Sequence, residues 1–294
     1  MSNEIYIAST TTTDRLNIVS ILLKSLKLNK KEETKINYYL FIKFTEQCNR
    51  QYCVDYFSRF IDDKFNIIIE DVDIFKDLVH TPARDHIYYA KCLFPKYFND
   101  LEKLLFLDVD LVFVKEGIED LWNTNINDYY VAATIDPTWQ YSPLLKCDLI
   151  NTGTDHYFNA GVILFNIKKL KEDKKDEELA NWCYCWNLKK LKCICYDQTL
   201  VNYILKDKVK LVDFKYNNSL LASGDISKEI YKTYLGNLGY KNQFDSLNDA
   251  VILHFSGPNK PWDEDVVFHS TDYQYRDEAI SVWYRIMQLY GDNV

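Results

Sequence analysis

The chain has 294 residues, of which 47% are hydrophobic and 27% charged, so it is long enough to bury a sizeable core. A formal net charge of −8 argues against a general nucleic-acid binder, although it leaves room for a local basic pocket. The sequence has no apolar run of about 18 residues, and its N-terminus lacks the basic and apolar regions of a signal peptide. We therefore expect a cytoplasmic protein without a membrane span.

Strands and helices alternate over the first 115 residues. The pattern predicts strands at 4–9, 36–44, 67–69 and 104–113, and helices at about 15–27, 47–60 and 85–98. A polar segment at 10–13 precedes the first helix, and Asp14 is placed to cap it. This alternation favours an α/β fold with a mainly parallel, doubly wound sheet flanked by helices.

The pattern is less regular after residue 115. It predicts strands at 130–135, 158–166 and 251–254, a lysine-rich helix at about 168–189, and loops or short helices over 215–248. Residues 272–290 form a last predicted helix, in which Trp283, Ile286 and Met287 recur at helical spacing. We expect this helix to dock on the core, and we find no linker, repeat or low-complexity segment.

Two carboxylates lie one residue apart in the apolar run 104–113. If this run is a strand buried on both faces, Asp108 and Asp110 project from the same face, because strand side chains alternate. Two like charges away from water are costly unless a cation neutralises them. Such a pair at the end of an inner strand can hold Mg²⁺ or Mn²⁺ against a pyrophosphate. The alternative is a turn in which both carboxylates accept backbone N–H groups.

A second polar group follows the strand predicted at 251–254. His254 can supply an imidazole ligand to the same metal, and Lys260 offers a positive charge to a phosphate. Gly257 lies between them and permits close approach of the backbone. Three such residue types within seven positions favour a ligand site over a structural histidine.

Other polar residues are ambiguous when taken singly. Asn159 has the character of a turn residue, and Asp197, before Gln198, that of a helix N-cap. The pairs Cys183-x-Cys185 and Cys193-x-Cys195 resemble a metal clip, but they lack the C-x2-C spacing of common zinc sites. We expect buried thiols there instead.

Together these segments resemble glycosyltransferase family 8, which includes glycogenin and bacterial lipooligosaccharide α-galactosyltransferases. The segments that carry the resemblance are, in chain order, 6–9, 89–91, 108–110, 158–161, 197–198 and 254–262. The resemblance implies a single GT-A domain, which is a Rossmann-like nucleotide-sugar transferase fold, over 1–294. Within it we expect a nucleotide-binding half at about 1–115, an acceptor and catalytic half at about 116–265, and a C-terminal helix at about 270–294.

The resemblance also implies a reaction and its site residues. A hexose would move from a UDP-sugar to a glycan or protein acceptor with retention of anomeric configuration. Asp108, Asp110 and His254 match the Mn²⁺ ligands of the family, with Mg²⁺ as the alternative metal. The positions that match donor-binding residues are Ala8, Ser9, Thr10, Lys91, Val109, Asp136, Asn159, Gly257 and Lys260. The positions that match catalytic residues are Asp197 and Gln198, beside the anomeric carbon, and Lys91, near the sugar and phosphate.

The donor sugar and the acceptor have alternatives. Glucose is the first expectation, because Lys91 and the non-acidic Thr199 resemble the glycogenin side of the family, and galactose is the second. The galactosyltransferases have a further Asp at the position of Thr199. Self-glucosylation would make Tyr231, Tyr234 or Tyr240 an acceptor, and the family is compatible with a homodimer.

Two other functions fit part of the sequence. The segment 108–112 fits the D-x-D-x-[T/V] signature of haloacid-dehalogenase-type phosphatases, with Asp108 as nucleophile and Mg²⁺ as the metal. That motif usually lies near the start of its chain, and it leaves the block 254–262 without a role. The second rival is a protein that only binds a nucleotide sugar or primes on itself. The sequence favours the transferase over both.

Overall fold

The computed structural model describes residues 4–78, 86–136, 153, 156–184, 195–219, 228–256, 260, 262 and 273–290. Its strands are β1 (Glu4–Thr12), β2 (Lys35–Lys43), β3 (Phe65–Asp71), β4 (Lys103–Leu107), β5 (Leu111–Phe113), β6 (Val131–Ile135), β7 (Phe158–Asn166), β8 (Val209–Leu211), β9 (Asn218–Ser219) and β10 (Ile252–His254). Its α-helices are α1 (Leu16–Asn29), α2 (Arg50–Phe57), α3 (Ala90–Tyr97), α4 (Ile118–Trp122), α5 (Ile167–Glu172), α6 (Lys175–Tyr184), α7 (Tyr196–Leu205), α8 (Lys228–Asn237), α9 (Gln243–Asp249) and α10 (Tyr273–Tyr290).

A seven-stranded sheet in the order β3-β2-β1-β4-β7-β6-β8 forms the centre of the molecule. Its neighbouring strands run parallel except where β7 pairs antiparallel with β4 and β6. This confirms the predicted mainly parallel sheet. A separate three-stranded sheet in the order β5-β10-β9 lies beside it.

Helices cover both faces of the large sheet, which explains why its inner strands are apolar throughout. In β4, Leu105 and Leu107 face a core shared with α1 and α2, while Leu104 and Phe106 face a core shared with α3, α5, α6 and α7. The alternation of side chains along one strand therefore divides the interior into two cores.

The run 104–113 is not one strand, so the argument that strand alternation aligns its two carboxylates was wrong. β4 ends at Leu107 in the large sheet, and β5 begins at Leu111 in the small one. The connection is held from both sides, because Asp108 N–H donates to Gly161 O (2.8 Å) and Phe255 N–H donates to Asp110 O (3.0 Å). The carboxylates nevertheless follow the C-terminal end of an inner strand, as predicted.

Two helix predictions also need correction. β1 continues to Thr12, because its threonines keep pairing with β2, and Asp14 then lies in a 3-10 turn. The α1 helix begins after Arg15, and no side chain caps it, so the capping role of Asp14 was wrong. The lysine-rich segment forms two helices instead of one, with Lys174 at a φ of 56° between α5 and α6.

The C-terminal helix docks on the core as predicted. Trp283 and Ile286 of α10 are buried with Ile18 and Ile21 of α1 and with Phe255, which directly follows β10. The helix thus covers the end of the small sheet. No helix in the described part of the chain is both long enough and apolar enough to cross a bilayer.

Candidate active site

Three side chains meet beyond the C-terminal end of β4. Asp108 and Asp110 come from the β4–β5 connection, and His254 is the last residue of β10. One potential ligand atom from each lies within 4.8 Å of the others, and His254 Nε2 is 3.4 Å from Asp110 Oδ1. Among the described residues, this is the one group of three or more His, Cys, Asp or Glu side chains with such spacing.

The donor set suits a divalent cation. Two carboxylates and one imidazole are ligands that Mn²⁺ accepts, and Mg²⁺ shares the preference for carboxylate oxygen. The backbone leaves room for them, since a Cβ on Gly161 would lie 2.4 Å from His254 Cε1 and 3.0 Å from Asp108 Oδ2. His254 is almost completely buried, and its Nδ1 lies 2.8 Å from Asn217 Oδ1, which leaves Nε2 on the side of Asp110.

The two carboxylates have opposite electrostatic environments. Burial alone would raise the pKa of Asp110, but the Lys260 ammonium and His254 hold that pKa well below its usual range. Lys260 contacts the Asp110 carboxylate and also donates to Phe255 O at 2.5 Å. Burial raises the pKa of Asp108, although Lys91 opposes this effect. A bound cation would favour the charged forms of both acids.

Lys91 of α3 is a buried ammonium between two acids. Its Nζ lies 3.2 Å from Asp108 Oδ1 and 2.9 Å from Asp197 Oδ2, and it donates to Ala160 O at 3.2 Å. Burial disfavours its charge, but the two carboxylates raise the pKa of Lys91 above its ordinary value. Lys91 therefore ties the end of β4 to the start of α7 by charge.

Three further predicted residues share one hydrogen-bond network. Asn159 Nδ2 and Gln198 Nε2 each donate to Asp136 Oδ2 at 3.1 Å. Gln198 Oε1 in turn accepts Ala160 N–H at 2.9 Å. Residues 62 positions apart in the chain are thereby brought into one polar cluster beside Lys91.

The start of α7 differs from the simplest expectation for it. Asp197 is not the N-cap: Cys195 is, without a side-chain cap, and the Asp197 carboxylate pairs with Lys91. Thr199 is fully buried, with its hydroxyl 3.1 Å from Tyr157 Oη and accepting Cys195 N–H at 3.2 Å.

Four predicted donor-binding residues lie in β1 or in the core. Ala8 and Ser9 are fully buried in β1, and the Ser9 hydroxyl lies 2.6 Å from both Tyr38 Oη and Leu107 O. Thr10 is half-buried, and it alone of the three exposes side-chain surface. Val109, which lies between the two acids in the chain, is buried in the core shared with α1 and α2. Their contacts with a nucleotide stay predictions.

Two other predictions can be followed only in part. Gly257, Cys185 and Cys193 lie outside the described residues. Cys183 is a fully buried thiol on α6, as expected, whereas Cys195 is only half-buried, so the prediction of a buried thiol was wrong there.

Asn217 is a site residue that the sequence argument missed. It lies in a 3-10 turn just before β9, and its Nδ2 donates to Asn159 Oδ1 at 2.9 Å. No local pattern distinguishes it from other asparagines of the polar segment 215–248. The pairing of β9 with β10 is what brings it beside His254.

The chain is similar to known glycosyltransferases along most of its length. The family model for glycosyl transferase family 8 matches residues 6–266. A Haemophilus influenzae protein, provisionally named a glycosyltransferase, is 31% identical over 59% of this chain and 48% of its own length. The Escherichia coli lipopolysaccharide 1,2-glucosyltransferase is 27% identical over 68% of this chain and 56% of its own length. The matched part of this chain thus spans about half the length of these relatives.

The solved structures share the fold. The galactosyltransferase LgtC, in complex with donor and acceptor sugar analogs, superposes with a TM-score of 0.63 at 19% identity. The match covers 96% of this chain and 100% of that one. The fold is therefore the GT-A fold expected from the sequence.

Proposed function

Because the chain belongs to glycosyltransferase family 8, we propose that it is a retaining, metal-dependent hexosyltransferase with a UDP-sugar donor. The observation that carries this proposal is the convergence of Asp108, Asp110 and His254 beside the ammonium of Lys260. Such a group fits a cation and a diphosphate together. Mn²⁺ is the proposed ion and UDP-glucose the first-choice donor, with UDP-galactose second, and a glycan or protein is the acceptor.

The metal and phosphate side of the reaction rests on four residues. Asp108, Asp110 and His254 would hold the ion, which when bound stabilises the negative charge of the departing diphosphate. Lys260 is buried against Asp110, so its positive charge is held next to the three proposed metal ligands. A fixed ammonium in a site of low dielectric adds to the stabilisation of the leaving group.

The contacts of Gln198 and Asp197 favour a mechanism in which the acceptor hydroxyl attacks the anomeric carbon on the face from which UDP departs. Gln198 is a weak nucleophile, and its Oε1 already accepts Ala160 N–H. Asp197 is paired with Lys91 at 2.9 Å, which makes its carboxylate a less available nucleophile. Both side chains would orient the hexose, and the departing phosphate oxygen would take the proton of the acceptor hydroxyl. The alternative for retention is a covalent intermediate on one of the two residues.

A panel of UDP-sugars, scored by UDP release with Mn²⁺ present, tests the activity. We expect release from UDP-glucose, and a loss of about 100-fold or more in Asp110→Asn, because the variant lacks one charged ligand. Asp55→Asn removes a carboxylate from the exposed face of α2 and serves as the matched control. Full activity of Asp110→Asn in excess chelator would refute the metal assignment.

A separate acceptor is favoured over self-glucosylation. Tyr234 is buried against Phe214, with ring centroids 5.6 Å apart. The Tyr240 hydroxyl donates to Asp249 Oδ2 at 2.7 Å, and burial together with this bond raises the pKa of Tyr240. The side chain of Tyr231 lies outside the described residues. Intact mass should stay constant after incubation with UDP-glucose and Mn²⁺, whereas steps of one hexose would restore the self-acceptor alternative.

The phosphatase alternative has no remaining support. The family match covers residues 6–266, and Asp108 is shared between the ligand group and the Lys91 ion pair.

A further inference from the structure

Two asparagine side chains link the proposed metal ligands to the polar cluster beside Lys91. Asn217 Oδ1 lies 2.8 Å from His254 Nδ1, and Asn217 Nδ2 donates to Asn159 Oδ1 at 2.9 Å. Asn159 Nδ2 then donates to Asp136 Oδ2 at 3.1 Å. Four polar side chains from four different segments therefore form one continuous path.

The donors and acceptors along this path follow from the hydrogen bond between Gly161 and Asn159. Gly161 N–H can only donate, and it donates to Asn159 Oδ1 at 2.9 Å. Since Asn159 accepts through that oxygen, Asn217 must offer it an N–H and turn its own oxygen toward His254. An amide oxygen only accepts, so His254 Nδ1 carries a hydrogen, and Nε2 is the nitrogen whose lone pair a cation could take.

We propose that Asn217 is the positioning residue of the cation site, which sets the tautomer and the ring orientation of His254. Nε2 is the nitrogen that faces Asp110, so a cation held by the two carboxylates would meet the ring nitrogen that Asn217 leaves unoccupied. The inference rests on the proposed function, because it concerns a cation held by that group. Partners that orient a ligand histidine through its other nitrogen are a general requirement of metal sites.

The fold holds Asn217 firmly enough for this role. Its side chain is 1% exposed, and the next residue, Asn218, pairs in register with Leu253 next to His254. Asn218 itself is equally buried, but it points elsewhere and donates to Ser246 O at 2.8 Å. The two neighbouring asparagines therefore form a matched pair, one in the path and one outside it.

Mn²⁺ binding without any sugar substrate tests the proposal, with free Mn²⁺ measured by electron paramagnetic resonance. Asn217→Leu keeps the shape but lacks the acceptor, so affinity should fall about 10- to 100-fold. Asn217→Asp keeps an acceptor for the Nδ1 hydrogen but cannot donate to Asn159 Oδ1, so its loss should be smaller than that of Asn217→Leu. The control Asn218→Ala should stay close to wild type. Wild-type affinity in Asn217→Leu, or an equal loss in Asn217→Asp, would overturn the proposal.

A second measurement needs no folded variant at the position in question. In the metal-free wild-type protein, long-range proton–nitrogen NMR of ¹⁵N-labelled histidines reports which ring nitrogen carries hydrogen. Five histidines are present, and loss of one signal set in His254→Gln assigns His254. Hydrogen on Nδ1 is expected whether or not Nε2 is also protonated, and a bare Nδ1 would overturn the proposal. If the wild-type protein binds no Mn²⁺, the metal assignment in the proposed function fails, while this tautomer test still stands.

Discussion

Gly161 shows how one missing side chain shapes the site. It lies on β7 directly under the His254 imidazole, and its carbonyl and N–H groups bond to Asp108 and Asn159 respectively. A Cβ there would lie 2.4 Å from His254 Cε1, a separation that neither the strand nor the buried ring can easily relieve. In the sequence, this glycine stands out only as part of the family segment 158–161, because His254 and Asp108 are distant from it in the chain.

Gly161→Ala should therefore weaken Mn²⁺ binding by about tenfold or more, because the added methyl group displaces His254 from Asp110. Calorimetric titration with Mn²⁺ measures the effect, and UDP release should fall with it. Gly236→Ala on α8 is the control, since a Cβ there meets nothing within 4 Å. Tight Mn²⁺ binding by Gly161→Ala would show that the ring does not lie over this strand in solution.

At the level of elements, the site depends on how α7 is joined to β7. Asn202 of α7 accepts Phe158 N–H at 2.8 Å and donates to Phe158 O at 2.9 Å, so one side chain satisfies both backbone groups of a fully buried residue. This bond pair holds α7, which also carries Asp197 and Gln198, against the strand that carries Asn159. A sequence pattern shows only a polar residue on an apolar helix.

Asn202→Ala should destabilise the protein by about 2–5 kcal/mol, because it leaves a buried N–H and a buried carbonyl without their partner. Urea unfolding followed by circular dichroism measures the change. Asn123→Ala, at an exposed position after α4, should change the free energy of unfolding by less than about 0.5 kcal/mol. Equal stability of the two variants would mean that α7 is held mainly by its apolar face.

At the level of the whole molecule, the C-terminal helix supports the small sheet from outside. Trp283 packs on Phe255 and Trp262, with ring centroids 5.3 and 4.5 Å away. Phe255 follows His254 and donates its N–H to Asp110 O. The helix is therefore one residue removed from the proposed metal ligands.

Trp283→Ala should lower the free energy of unfolding by about 3–5 kcal/mol, since it empties a large buried site. Tyr284→Ala changes the adjacent residue, which is 65% exposed, and should cost less than about 0.5 kcal/mol. Thermal unfolding of the two variants side by side measures the difference. A small loss in Trp283→Ala would indicate that α10 is not stably docked in solution.

Local sequence patterns were enough to predict the class of fold and the three side chains of the candidate metal group. Alternation of apolar strands and helices predicted the mainly parallel sheet, and the chemistry of Asp108, Asp110 and His254 predicted a metal group that the fold does bring together. These inferences succeeded because local periodicity and ligand chemistry are properties of short segments.

Only the tertiary structure decided how those segments meet. It divided the run 104–113 between two sheets, paired Asp197 with Lys91 instead of a helix end, and placed Asn217 against His254. Each of these outcomes depends on a partner far away in the chain, through strand pairing, burial of charge or a hydrogen bond. Such partners leave no local signal, because their energies arise only when the chain has brought distant residues into contact.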